Sequence, residues 1–280
     1  MKGKYKVLGM VSFFVLVLVL AVYALTSVNS PTTCSGQWTT CTNANANDAS
    51  RATATATNTA NFSGIWRDYG FSISDSSSID SVIVRPDFFA SNVRGFAKIR
   101  VSGDGGATYG PIHTIGGNTA EQSYFIDVTS DLAWTGSMLN NANLRINATC
   151  FKDPQSGSNP TCRLDWIPVN VTYTPFDFSV SASPSSDTVA QGVNATTAVT
   201  VDLLSGNSQN VFLFYSGCPI NTSCSFNPTN GNPTYASEFK VVTAINAGNG
   251  TVTPLGTYTI TLSGFSNGMT RNTNYTLTVV

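Results

Sequence analysis

After Leu25 the chain alternates apolar and polar residues with a period of two, in short runs separated by turn residues. No stretch there sustains the 3.6-residue period of a helix, and residues 130–143 have room for one helical turn at most. The alternation is plain at Leu144, Ile146 and Ala148 against Arg145 and Asn147. It recurs at Ile167, Val169, Val171 and Tyr173 against Asn170 and Thr172, and at Ala97, Ile99 and Val101 against Lys98 and Arg100. Further on it returns at Thr197–Val199–Val201–Leu203, Phe239–Val241–Thr243, Tyr258–Ile260–Leu262 and Tyr275–Leu277–Val279. Many short strands with polar turns predict an all-β chain built as sandwiches.

The exception comes first in the chain. Residues 1–6 are a basic n-region, and residues 7–25 are a nearly unbroken apolar run. As a helix the run would rise about 28 Å, close to the hydrocarbon thickness of a bilayer. That length favours a signal anchor over a cleaved signal peptide. Val22-Tyr23-Ala24 nevertheless offers small residues where a signal peptidase reads, so both readings stand. Lys2-Gly3 also resembles the processing site of an archaeal pilin-type signal, although Lys4 and Lys6 interrupt the helix that should follow. The lysines precede the run, which puts residues 26–280 outside. The expected place is the extracellular face of the cell membrane, or the medium, with the membrane a partner through this N-terminal helix.

Composition agrees with export. Charged residues are 10% of the chain and the net charge is −1, against about 25% charged in ordinary soluble domains. There is no basic patch, which argues against nucleic acid as a partner. The six cysteines fall in three close couples, Cys34 and Cys41, Cys150 and Cys162, Cys218 and Cys224. In an exported chain these read as disulfides, local pairing being the simplest of the arrangements. A zinc site does not fit, because no CxxC occurs and His113 is the only histidine. Glycosylation sequons stand at Asn61, Asn147, Asn170, Asn194, Asn221, Asn249 and Asn274. Serine and threonine are abundant enough for chance to account for them. Asn147, Asn170 and Asn274 sit on the polar side of a strand pattern, where a glycan is tolerated.

The expected organisation is a linker at 26–37, a first domain at 38–175 and a second at 176–280. The order WTTCTNANANDASRATATAT (38–57), DYGFSI (68–73), SSIDSVIV (77–84), VSGDGGATYG (101–110), SDLAWTGSMLNNANLRI (130–146) and LDWIPVNVTYTP (164–175) resembles a jelly-roll module of prokaryotic surface proteins, archaeal ones in particular. Such modules are similar to carbohydrate-binding jelly rolls, which implies a fold more than a function. Within it, Ser102, Asp104, Gly106, Thr108 and Tyr109 resemble an Asp-box. Asp104 would accept bonds from turn amides and Tyr109 would pack beneath, a structural role. Calcium at Asp104 is the rival, but the run offers one carboxylate where a hard cation wants six or more oxygens. The segments FDFSVSASPSSDTVAQG (176–192), TTAVTVDLLSG (196–206), SCSFNPTNGNPT (223–234) and PLGTYTITLSG (254–264) resemble an immunoglobulin-like surface repeat, usually a spacer. Leu255-Gly256-Thr257-Tyr258 resembles a tyrosine corner. The join at Thr174-Pro175 is short, so the domains should abut and move little.

No catalytic constellation emerges. A serine triad would need His113, which has no nucleophile signature near it. Glu121 and Glu238, the only glutamates, fall in different domains, and no phosphate loop opens a helix. The expectation is a chain that is not an enzyme and needs no metal or cofactor. The binding candidates are aromatic, since ring faces stack on the apolar faces of sugars: Trp166, Trp66, Trp134, Phe88 and Phe89. Trp166 is foremost, pointing opposite Ile167 to the side of Asn170 if its strand is regular. Two functions follow. One is adhesion or binding, the first domain recognising a glycan or envelope polymer and the second acting as spacer. The other is a structural envelope or filament subunit that self-associates. Exposed aromatics on one sheet face would favour the former; an unpaired edge strand would favour the latter.

Overall fold

The computed structural model describes residues 23–154, 157–245 and 252–280. The basic start and the apolar run lie outside the described residues, save 23–25, and Leu25 already opens a strand. Among the described residues no helix is long and apolar enough to cross a membrane. The chain is all-β, with sandwich-like folds, as the alternation requires.

The first domain contains β1 (Leu25–Asn29), β2 (Thr33–Gly36), β3 (Ala52–Thr55), β4 (Phe62–Arg67), β5 (Ser78–Val84), β6 (Asp87–Ala90), β7 (Gly95–Ser102), β8 (His113–Gly116), β9 (Gln122–Ser123), β10 (Ile126–Asp127), β11 (Arg145–Lys152), β12 (Thr161–Trp166) and β13 (Val169–Thr174). The back sheet runs β2-β4-β11-β7-β8. The front layer is made of two segments in line, β1-β13-β5-β10 and β3-β12-β6-β9. β5 passes into β6 through Arg85-Pro86, and β12 into β13 through Ile167-Pro168. A proline has no N–H to give the ladder, so the front layer breaks there. Arg85 N–H donating to the Pro168 carbonyl at 3.0 Å spans the break.

Residues 26–37 are therefore not a linker. Leu25–Asn29 pairs residue for residue with β13, and Thr33–Gly36 with β4, so the segment completes an edge of each layer. Its low charge and mixed polarity look like a linker because an edge strand of this kind has little apolar side to show. Val82, Val84, Ile99, Val101, Ile146, Leu164, Val169 and Val171 fill the space between the layers. All three disulfides are formed. Cys150–Cys162 does more than close a loop: it joins β11 of the back sheet to β12 of the front layer, with both cysteines wholly buried.

The second domain contains β14 (Asp177–Ser183), β15 (Ser186–Val189), β16 (Ala195–Ser205), β17 (Val211–Ser216), β18 (Thr222–Asn227), β19 (Asn230–Gly231), β20 (Tyr235–Thr243), β21 (Gly256–Ser266) and β22 (Met269–Val279). Its sheets run β14-β16-β20-β18 and β15-β22-β21-β17-β19, with β15 parallel to β22. A separate core of Phe178, Val199, Val201, Phe239, Ile260, Leu262, Tyr275 and Leu277 lies between them. The Tyr258 hydroxyl donates to the Pro254 carbonyl at 2.9 Å, tying the start of β21 to the preceding turn.

Candidate functional site

The five aromatic candidates separate sharply. Trp66 and Phe88 are wholly buried and belong to the core, not to a binding surface. Trp66 meets Trp38 edge-on, ring centroids 5.7 Å apart, and its indole N–H donates to the Cys41 carbonyl at 3.1 Å. Gly64 is small because a Cβ there would come within 2.8–2.9 Å of both tryptophan rings. Strand parity explains Phe88, which alternates with outward-facing Phe89 on β6. Trp134 is half-buried against the core, its indole N–H donating to the Val128 carbonyl at 2.9 Å.

Trp166 and Phe89 remain, on the outer face of the front layer. The register of β12 shifts between Leu164 and Trp166, so Asp165 turns inward and Trp166 outward. Phe89 lies between two guanidinium groups, Arg51 at 5.1 Å and Arg163 at 5.4 Å from the ring centroid. Arg51 also holds the Glu121 carboxylate at 2.7 and 3.0 Å. Arg85 is flanked in the same way by two rings, Trp166 at 4.8 Å and Phe125 at 5.7 Å. Its Nη2 donates to buried Asp87 at 3.2 Å and to the Ser123 hydroxyl at 3.2 Å. The Trp166 indole N–H donates to Ser30 at 2.8 Å. Cations over ring faces contribute about 0.5–2 kcal/mol each depending on exposure, so this band of side chains is held in place by its own contacts.

Beside it is a cavity of about 120 Å³, lined by Val28, Ile83, Arg85, Phe125, Pro168 and Asn170. Val28, Asn170 and Ile83 stand side by side across β1, β13 and β5. Arg85 and Pro168 come from the break in the front layer. Phe125, 73% exposed, rises at the edge. Two polar atoms of its lining residues, Arg85 Nε and Asn170 Oδ1, are shut off from solvent and have no partner. Buried groups left unpaired in this way are uncommon and call for an explanation.

Phe125, Arg85 and Asn170 were not singled out as a site in the sequence. Phe125 was within reach, since Ile126 and Val128 face the core and put Phe125 on the outer side. Arg85 and the cavity depend on pairing between distant strands. Asn170 stands in the sequence as a sequon on the polar side of its strand. Of the other sequons, Asn61, Asn194, Asn221 and Asn274 are exposed, and Asn147 is half-buried with Oδ1 accepting from Thr149 at 3.0 Å. Asn249 lies outside the described residues.

The turn at 102–109 bonds to itself. Asp104 accepts from the Thr108 backbone N–H at 3.0 Å, the Thr108 hydroxyl at 2.5 Å and Ser102 at 2.7 Å, while Ser102 Oγ accepts from Gly106 N–H at 2.9 Å. The bonds from Thr108, then Ser102, hold the Asp104 carboxyl well below its ordinary range. Tyr109 carries Arg100 over its ring at 5.3 Å. His113 meets Asp131 at 2.7 Å, with no nucleophile between them. Among the described residues, no group of three or more His, Cys, Asp or Glu could hold a metal ion.

The site thus belongs to an all-β chain of two sandwiches. No family model matches the chain, and no curated protein is significantly similar to it. Among solved structures it is similar to domains 4 and 5 of the S-layer protein SbsC, at 15% identity over 41% of this chain and 63% of that one, with a TM-score of 0.29. The fibronectin(III)-like modules of Clostridium thermocellum CbhA match at 11% identity over 78% of this chain and 84% of that one, TM-score 0.24. A beta-1,2-glucanase from Parabacteroides distasonis matches at 10% over 92% and 37%, TM-score 0.24. This chain spans 28% of the matched beta-glucuronidase 3 of Bacteroides uniformis. Scores this low carry nothing about function from those proteins to this one.

Proposed function

We propose that this chain is a non-catalytic, surface-displayed binding protein whose first domain recognises carbohydrate on the outer face of its front layer, the second domain serving as spacer. The observation that carries the reading is the cavity beside Arg85, with exposed Phe125 at its rim and the Trp166 ring on the other side of the guanidinium. Exposed ring faces beside an apolar hollow suit the apolar face of a sugar. Display outside the cell is supported by the apolar run at 7–25 and by three disulfides, which persist in oxidising compartments.

The test is binding of the full oxidised chain to a panel of envelope polysaccharides and glycans at low micromolar concentration. Saturable binding that weakens at least tenfold on Phe125→Ala or Trp166→Ala, with the thermal unfolding midpoint little changed, is the expected result. Absence of binding across the panel overturns the reading.

A second reading rests on a separate observation. Phe212 and Phe265 are directly opposite on β17 and β21, with Phe214 two residues along, and the three are 52%, 44% and 46% exposed on one sheet face. Apolar surface gathered in this way marks protein contacts. In that reading the chain is a structural envelope or filament subunit, and the face meets a second copy of itself. Sedimentation velocity decides: concentration-dependent association abolished by Phe212→Ser with Phe265→Ser supports it, and a monomer at all concentrations removes it.

A further inference from the structure

Resting on the carbohydrate reading, we infer that the glycan is an acidic one, whose carboxylate or sulfate ester groups are held by Arg163 with Arg85 beside it. Arg163 stands outward on β12, directly opposite Phe89 of β6, its guanidinium carbon 5.4 Å from the centre of the Phe89 ring. That contact places the side chain and uses none of its N–H groups. Among the described residues, Arg163 is the one arginine whose guanidinium has no carboxylate, hydroxyl or carbonyl partner. Arg51, across the same ring, is spent: Nε and Nη2 donate to Glu121, and Nη1 donates to the Ala49 carbonyl at 2.8 Å. Arg85 is half spent, with Nη2 on Asp87 and Ser123. Unlike Arg85 Nε, the Arg163 nitrogens and Arg85 Nη1 are neither bonded nor shut off from solvent, so a ligand on this face reaches them.

A guanidinium laid on a ring with its N–H edge free is a fork for an anion. A carboxylate or a sulfate ester accepts two parallel N–H bonds from it, and the charge strengthens both. A neutral hydroxyl takes one bond and adds no charge. The chain's own acids do not compete. Glu121 and Asp87 are already held by Arg51 and Arg85, and Asp165, two residues along β12, turns inward. The spacing suits neighbouring units of one glycan. Trp166 is opposite Asp87 and Arg163 is opposite Phe89, two residues apart on β6, which is about 7 Å at the usual strand rise. A sugar beside Trp166 therefore brings an acidic group, its own or that of the next unit, up to Arg163. Arg85, over the Trp166 ring at 4.8 Å, offers Nη1 on the other side.

The experiment is calorimetric titration of the full oxidised chain with matched pairs of oligosaccharides. The pairs are an α-1,4-galacturonate hexamer and its methyl ester, a β-1,4-glucuronate hexamer and the cellulose hexamer, and a sulfated galactan fragment and the same fragment desulfated. In at least one pair the acidic member should bind at least tenfold tighter than the neutral one. Arg163→Gln should remove that preference with the thermal unfolding midpoint unchanged, since this guanidinium makes no hydrogen bond in the fold. Lys240→Gln, which makes the same change of charge in the second domain, should keep it. A preference in the carboxylate pairs identifies a uronate and one in the sulfate pair a sulfate ester, and either supports the proposal. Equal binding of acidic and neutral members, or binding to neutral glycans of the wider panel alone, overturns the acidic assignment and leaves the carbohydrate reading intact. A preference lost equally in Lys240→Gln is diffuse attraction, and one that survives Arg163→Gln resides elsewhere; both overturn the assignment. No affinity for any probe, together with none for the wider panel, removes both.

Discussion

Asp165 shows how much a single residue owes to a local irregularity. The register shift before Trp166 turns it inward until 1% of its surface is exposed, and Oδ1 finds no partner. Burial, and then the nearby Glu121 charge, push its carboxyl above the ordinary value of 3.8. Between that ordinary value and the raised one, the folded chain holds more protons than the unfolded chain. For this group, stability therefore rises as pH falls through the window, and the ionised form subtracts from stability at neutral pH. Asp165→Asn should raise the urea-unfolding free energy at pH 7 by on the order of 1 kcal/mol, and the gain should disappear near pH 4. A loss at pH 7 would mean that the carboxylate charge is being used. Asp104 has the opposite sign: its contribution is present above 3.8 and lost as pH falls through its lowered value. The Asp104 turn was legible because every partner lies within six residues. Asp165 was not, because an inward acid on a strand depends on a bulge that alternation cannot announce.

At the scale of elements, parity and pairing divide the work. The inward residues of β7, β11 and β13 were readable from a period of two. The fates of Trp66 and Phe88 were not, since aromatics serve core and surface alike and the choice falls with register. Cys150–Cys162 illustrates the same division. Its pairing follows from spacing, but its place between two layers does not. Cys150→Ala with Cys162→Ala should lower the unfolding free energy by about 3 kcal/mol, for a loop of twelve residues. The corresponding loss at Cys218 and Cys224, six residues apart, should be nearer 2 kcal/mol. Denaturant midpoints of the two variants check the ranking. A larger effect at Cys218 and Cys224 would contradict loop entropy as the main term.

At the scale of the molecule, the second domain grips the first. Asn207, just past β16, donates from its backbone to Ser76 at 2.8 Å and from its side chain to Asp75 and Ser77 at 3.2 and 2.7 Å. Asn267, in the turn between β21 and β22, donates to Ser76 Oγ at 2.9 Å. Ser76 and Ser77 are buried beneath these contacts. Two turns of one domain thus hold one loop of the other, and the domains should tumble as one body. Residual dipolar couplings should fit a single alignment tensor in the native chain and two in Asn207→Ala with Asn267→Ala, with either domain's own stability little changed. Two tensors in the native chain would remove the clasp. A short join hinted at abutting domains; the asparagines that enforce it are unremarkable among so many.

The sequence by itself determined the class of this protein: strands, their inward faces, the cysteine couples and a polar surface of low charge. These are local properties, set by alternation and spacing within a few residues. The tertiary structure decided which aromatics are core, that residues 26–37 hold two edge strands, and that Arg85, Phe125 and Asn170 meet around one cavity. Those outcomes depend on which strands pair and in what register. Pairing is settled by the burial of the whole set of inward side chains together, a sum over distant segments that no single stretch of sequence contains.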